Sequence, residues 1–93
     1  MRTIERSSTF KRDYKREAKG KHRVTLDADL MSVLAALAND QPLEDRHRDH
    51  GLSGNWAGYR ECHVKPDLLL IYRQTDSDTL RLARLGSHSE LFG

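Results

Sequence analysis

His63, Asp67, Arg84 and His88 punctuate the C-terminal half of this chain, and His50 stands just before them in a glycine-rich stretch. Imidazole titrates near neutral pH and serves there as acid or base. A carboxylate can share that work, and a guanidinium stays charged and grips phosphate oxygens in a fixed fork. Together these groups can move protons around a phosphate without a metal or other cofactor. In a small basic protein the set points first to a ribonuclease.

Each of these residues also has a plain structural explanation. A lone histidine is more often a satisfied or surface side chain than a catalyst, and His22 and His47 are read that way. Asp67 follows Pro66 and suits a turn, and Arg84 suits a salt bridge. Trp56 and Tyr59 are read as core. A metal site is not favoured, because no histidine pair has the tight spacing of usual zinc motifs; His47 and His50 come nearest.

The elements that must position the set can be read from pattern. Thr3 to Arg6 fits a short strand. Ser7 or Ser8 offers a cap for a first helix whose face is Phe10, Tyr14 and Ala18, ending near Gly20. Asp27 is expected to cap a second helix with the stripe Leu30, Val33, Leu34 and Leu37, stopped by Asn39-Asp40-Gln41-Pro42. Residues 43–57 have weak periodicity, and Gly51, Gly54 and Gly58 mark a loop. Strands are expected at Tyr59–Val64, Leu68–Tyr72 and Thr79–Leu85, separated by turns at Lys65-Pro66-Asp67 and Asp76-Ser77-Asp78. The expected fold is α+β, with two N-terminal helices packed on a small antiparallel sheet, in one domain spanning 1–93. Antiparallel pairing of the last two strands would bring Arg84 beside the start of the middle strand, near Asp67.

Composition sets limits. Hydrophobic residues are 37% of the chain and charged residues are 32%. That balance suits a folded chain rather than a disordered one. No apolar stretch approaches the roughly 20 residues of a membrane span, and the N-terminus lacks the apolar core of a secretion signal. Cys62 has no partner cysteine, which fits a reducing cytoplasm, and its place in a strand makes it a small core residue. Residues 1–23 hold nine Lys/Arg against three acids. That block, with Lys11, Lys15 and Lys19 at its centre, is either a solvated helix face or a patch for an RNA backbone, a ribosome or an acidic protein. Phe92, four residues past His88, either seals the core edge or stacks on an RNA base.

The segments Asp49-His50-Gly51-Leu52-Ser53-Gly54-Asn55-Trp56-Ala57-Gly58-Tyr59-Arg60, His63-Val64-Lys65-Pro66-Asp67, Leu70-Ile71-Tyr72, Arg84-Leu85-Gly86-Ser87-His88 and Leu91-Phe92-Gly93 closely resemble the YafQ branch of the RelE/ParE toxin superfamily. The resemblance covers most of residues 43–93 with collinear spacing. It implies a type II toxin that cleaves mRNA in the ribosomal A site and is neutralised by a cognate antitoxin. It also implies an active site at His50, His63, Asp67, Arg84, His88 and Phe92, on two helices packed against a small antiparallel sheet. Leu68 stands where the family carries a tryptophan. A ParE-like toxin, which shares the fold but binds DNA gyrase without cleaving RNA, is the alternative; it is not expected to carry the histidine and aspartate set. The expected chemistry is attack of a ribose 2′-OH on the adjacent phosphate, with His88 as acid, Asp67 or His50 as base, His63 orienting the phosphate and Arg84 stabilising its charge.

Overall fold

In the computed structural model, which describes residues 1–92, Ser7 sets the first helix by capping it. Its backbone is extended, with φ −68° and ψ 158°. Its hydroxyl accepts the Phe10 N–H at 3.0 Å. That bond satisfies one of the free donors at the helix start, and α1 runs Ser8–Glu17. The second helix, α2 (Leu26–Ala38), begins one residue before Asp27, with Thr25 at the cap position and no side-chain cap bond. Asp27 instead accepts a hydrogen bond from the Tyr14 hydroxyl, which links the two helices. Its charge also suits the helix's positive end. Leu26, Leu30, Val33 and Leu34 recur at helical spacing and are all buried.

The strands are β1 (Thr3–Arg6), β2 (His50–Gly51), β3 (Arg60–Lys65), β4 (Leu68–Asp76) and β5 (Thr79–Gly86), in the spatial order β1-β5-β4-β3-β2. β3 to β5 pair antiparallel through short turns, as expected. β2 also pairs antiparallel with β3 but lies within residues 43–57, where no strand was expected. β1 pairs parallel with β5, so the sheet is mixed rather than wholly antiparallel. A parallel pair needs a long crossover, and the two helices form part of the connection here.

The run Leu68 to Tyr72 is buried throughout because both sheet faces are covered. Leu68, Leu70 and Tyr72 join Phe10, Leu30, Val33, Cys62, Leu82 and Leu85 beneath the helices. Leu69 and Ile71 point the other way and join Ala83 and Leu91, flanked by Leu52, Trp56 and Tyr59. Leu68 is therefore a core residue, and no stacking surface survives at that position. Cys62 is fully buried, and burial, with Asp49 and Glu61 adding to it, pushes its thiol pKa up to about 12.

A third helix, α3 (His88–Phe92), was not expected from periodicity. It is five residues long, too short to show a pattern, but its start carries a legible capping box. Ser87 Oγ accepts the Glu90 N–H at 3.2 Å, and Glu90 Oε1 accepts the Ser87 N–H at 2.8 Å. Leu91 then covers the second sheet face. Among the described residues, no helix is long and apolar enough to cross a membrane.

Candidate active site

Alternation along β3 decides which side chains reach the second face. Cys62 and Val64 point to the helices, so Glu61 and His63 point away from them. Glu61 is buried, and its Oε1 lies 3.7 Å from Nε2 of His63 and 3.7 Å from Nε2 of His50. One carboxylate oxygen thus sits between two imidazoles from adjacent strands. The turn that returns the chain from β2 to β3 relies on Gly54 at φ 66° and Gly58 at φ 90°. Glycine reaches that left-handed region without the steric cost of a Cβ.

The other ring nitrogen of each histidine faces a backbone carbonyl. His50 Nδ1 meets Arg48 O at 2.7 Å, and His63 Nδ1 meets Pro66 O at 3.3 Å. A carbonyl only accepts, so each Nδ1 carries the proton. In the neutral ring that leaves Nε2 with a lone pair able to take a proton, and a carboxylate beside it to stabilise the resulting cation. His47 is buried and donates to the His63 carbonyl at 2.6 Å, so it supports β3 as a satisfied structural histidine. Asp49, next to His50, accepts from the Tyr72 hydroxyl and from Arg60 Nε at 3.2 Å, which pins the segment carrying His50.

The remaining expected residues fall in two groups. His63, Leu69 and Gly86 form one row across β3, β4 and β5. With strands about 4.8 Å apart, the Cα atoms of His63 and Gly86 are roughly 10 Å apart, and His88 follows two residues later. His88 stacks on Phe92 with ring centroids 5.2 Å apart and a 47° tilt, and Phe92 remains 39% exposed. His50, His63, His88 and Phe92 therefore share the second face and its rim.

Asp67 and Arg84 do not meet as the strand reading expected. Arg84 pairs with Ile71 rather than with the start of β4. A bulge at Ala83 re-aims the next side chain, as bulges commonly do. The Arg84 guanidinium turns toward α1 and the buried carboxylate of Asp13. Nε donates to it at 2.7 Å and Nη2 donates at 3.2 Å. Nη1 makes no hydrogen bond among the described residues. Asp67 faces the turn between the helices, paired with Lys21 and, at 2.9 Å, with His22 Nε2. The Lys21 bond foremost, with the His22 and Lys21 charges and the His22 bond, holds its pKa below the usual carboxylate value and outweighs burial, which acts the other way.

Lys11, Lys15 and Lys19 are all exposed, along α1 and just past its end. Lys11 and Lys15 rim a groove of about 630 Å³ floored by Ile4, Phe10, Leu30 and Met31, on the helical side of the molecule. Glu61 and Asp13 are absent from the set nominated by sequence. Glu61 had a signal, the alternation about Cys62; Asp13 had only its i,i+3 spacing to Arg16, since Arg84 lies 71 positions away.

Known proteins are similar to this chain over its whole length. The family described as bacterial toxin of type II toxin-antitoxin system, YafQ, matches residues 2–93. The mRNA interferase toxin YafQ of Escherichia coli K12 is 41% identical over 93 residues, covering 100% of this chain and 98% of that protein. The crystal structure of YafQ from E. coli BL21(DE3) superimposes with a TM-score of 0.84 at 39% identity, covering 100% of both chains. A chain of the E. coli DinJ-YafQ toxin-antitoxin complex gives a TM-score of 0.81 at 41% identity, covering 99% of this chain and 98% of that one.

Proposed function

The chain belongs to the YafQ family of type II toxin-antitoxin toxins, and from that premise we propose how it cleaves RNA. It is an endoribonuclease, an mRNA interferase held in check by a cognate antitoxin. Its substrate is mRNA in the A site of translating ribosomes, and its work is therefore cytoplasmic.

The observation that carries the mechanism is the single Glu61 oxygen 3.7 Å from Nε2 of both His50 and His63. His50 is half exposed, which leaves its ring open to an approaching ribose. Its Nε2 removes the 2′-OH proton, and Glu61 stabilises the imidazolium. The 2′-oxygen attacks the adjacent phosphorus while His88 protonates the departing 5′-oxygen. The products are a 2′,3′-cyclic phosphate (or the 3′-phosphate after hydrolysis) and a 5′-OH. His63, across the same carboxylate, orients the phosphate, and Arg84 offers Nη1 to the extra charge of the phosphorane. Phe92 stacks on a base beside His88. His50 is favoured over Asp67 as base because Asp67 is tied by Lys21 and His22, which lower its pKa. A carboxylate with a lowered pKa is a poor proton acceptor at neutral pH. Lys11, Lys15 and Lys19 supply long-range attraction to the RNA backbone rather than contacts at the reacting phosphate.

Primer extension on mRNA in translating ribosomes, with wild type beside His88→Ala, tests this reading. Codon-phased cuts by wild type, lowered roughly 10²–10⁴-fold in the variant, are the expected result. A folded wild type that leaves the mRNA intact but blocks gyrase supercoiling would replace it with the gyrase-binding alternative.

A further inference from the structure

Asp13 is 3% exposed, yet it carries a full set of donors. Its Oδ2 accepts from Arg84 Nε at 2.7 Å and from the Leu85 N–H at 3.0 Å. Its Oδ1 accepts from Arg84 Nη2 at 3.2 Å and from Arg16 Nη1 at 3.0 Å. Arg16 carries the chain of contacts onward. Its Nη2 donates to the Leu85 carbonyl at 2.9 Å, and its Nε lies 3.0 Å from Glu90 Oε2 and 2.9 Å from Glu17 Oε2. Glu90 in turn closes the capping box of α3, whose first residue is His88.

We propose that Asp13, Arg16 and Glu90 are positioning residues that hold Arg84 and His88 in fixed relation at the scissile phosphate. The proposal rests on the ribonuclease reading above. Arg84 lies near the end of a strand and His88 begins a short helix, and so short a helix has little intrinsic stability. A misplacement of about 1 Å at a reacting group can cost up to about 10²-fold in rate. A network joining α1 to both residues keeps them aligned without touching RNA. It also gives Arg16 a role distinct from that of the lysines on its helix.

Gly86 fits this role. A Cβ there would lie 2.8 Å from Arg16 Nη2 and 3.2 Å from Glu90 Oε1. The nearest obstacles are ends of flexible side chains, so Gly86→Ala should push the network aside while removing no charged group.

The test compares Gly86→Ala and Glu90→Gln with wild type, alone and in a His88→Ala background. Single-turnover cleavage, RNA affinity and urea unfolding are measured for each. Positioning is supported by folded variants that bind RNA normally, cleave at least ten-fold more slowly, and add a smaller loss once His88 is gone. Full-rate cleavage by both folded variants, or a loss that simply multiplies that of His88→Ala, overturns it. The His88 ring resonance in a ¹H–¹³C spectrum gives a readout independent of activity. If wild type proves not to cleave RNA, the ribonuclease reading falls. The network then stands if that resonance shifts in both variants and falls if it does not move.

Discussion

His50 and Glu61 are direct cross-strand partners, and their side chains face each other with Nε2 and Oε1 3.7 Å apart. Opposed residues on an antiparallel pair are the closest contacts a sheet offers, so the two residues of β2 are enough to place this histidine. Glu61→Gln keeps the shape and removes the charge that would stabilise a protonated ring. Single-turnover cleavage is expected to fall roughly 10²-fold, and the same change should matter little once His50 is alanine. Wild-type cleavage by Glu61→Gln would separate the carboxylate from the chemistry.

Phe92 is one helical turn from His88 and part of its ring is open to solvent. Stacking on a base is worth about 1–3 kcal/mol, so Phe92→Ala should weaken RNA binding by about 5- to 150-fold. A titration with a short single-stranded RNA measures this directly. Unchanged affinity with slower cleavage would reduce Phe92 to a support for the His88 ring.

Much of this arrangement is legible in the residues. Ser7 announces α1, the Leu30-Val33-Leu34 stripe announces α2, and Leu68 to Tyr72 announces a central strand. His50, His63 and His88 can be nominated because they fall among other proton-moving and phosphate-binding types and within the segments that resemble the family, whereas His22 and His47 do not. What sequence hides depends on contacts between distant segments. The parallel pairing of β1, the bulge at Ala83 and the Asp13–Arg84 pair leave no local pattern. α3 escapes notice because five residues are too few for periodicity, although Ser87 and Glu90 mark its start. The start of α2 differs from expectation because Asp27 is an equally good cap by type and is committed instead to Tyr14.

Asp13 should govern part of the acid stability. Burial raises its pKa, but the Arg84 and Leu85 hydrogen bonds, with the charges of Arg84 and Arg16, outweigh burial and leave it below the ordinary 3.8. A carboxylate with a lowered folded-state pKa contributes stability that is full above its unfolded value. That contribution is lost as pH falls from about 3.8 through the folded value. Urea midpoints from pH 7 to pH 2 should show this loss in wild type. Asp13→Ala should cost about 3–5 kcal/mol at pH 7, as expected when one member of a buried pair is removed, and should lack that part of the acid dependence. Equal midpoints for the two proteins at pH 7 would contradict a stabilising role.

Cys62 should behave as a reporter of opening. Its thiol is buried and, with a pKa of about 12, stays protonated at neutral pH. The thiolate is the reactive form, so a disulfide reagent should label the native protein only as fast as the core opens, and at once in denaturant. Rapid labelling of the native protein would place Cys62 nearer solvent than the core of β3.

β5 lies between β1 and β4 and, among the described residues, is the strand that pairs with β1. During synthesis, residues 3–6 are therefore made long before residues 79–82 exist to receive them, and a contact so distant in sequence closes late. Arg84 and His88 are made later still. A nascent chain thus carries neither a finished sheet nor Arg84, the cation proposed to meet the phosphate, until residues 79–88 have left the ribosome that makes it. Sheet closure therefore waits on β5, and protease protection of β1 in chains stalled before residue 79, compared with longer chains, would show when it occurs.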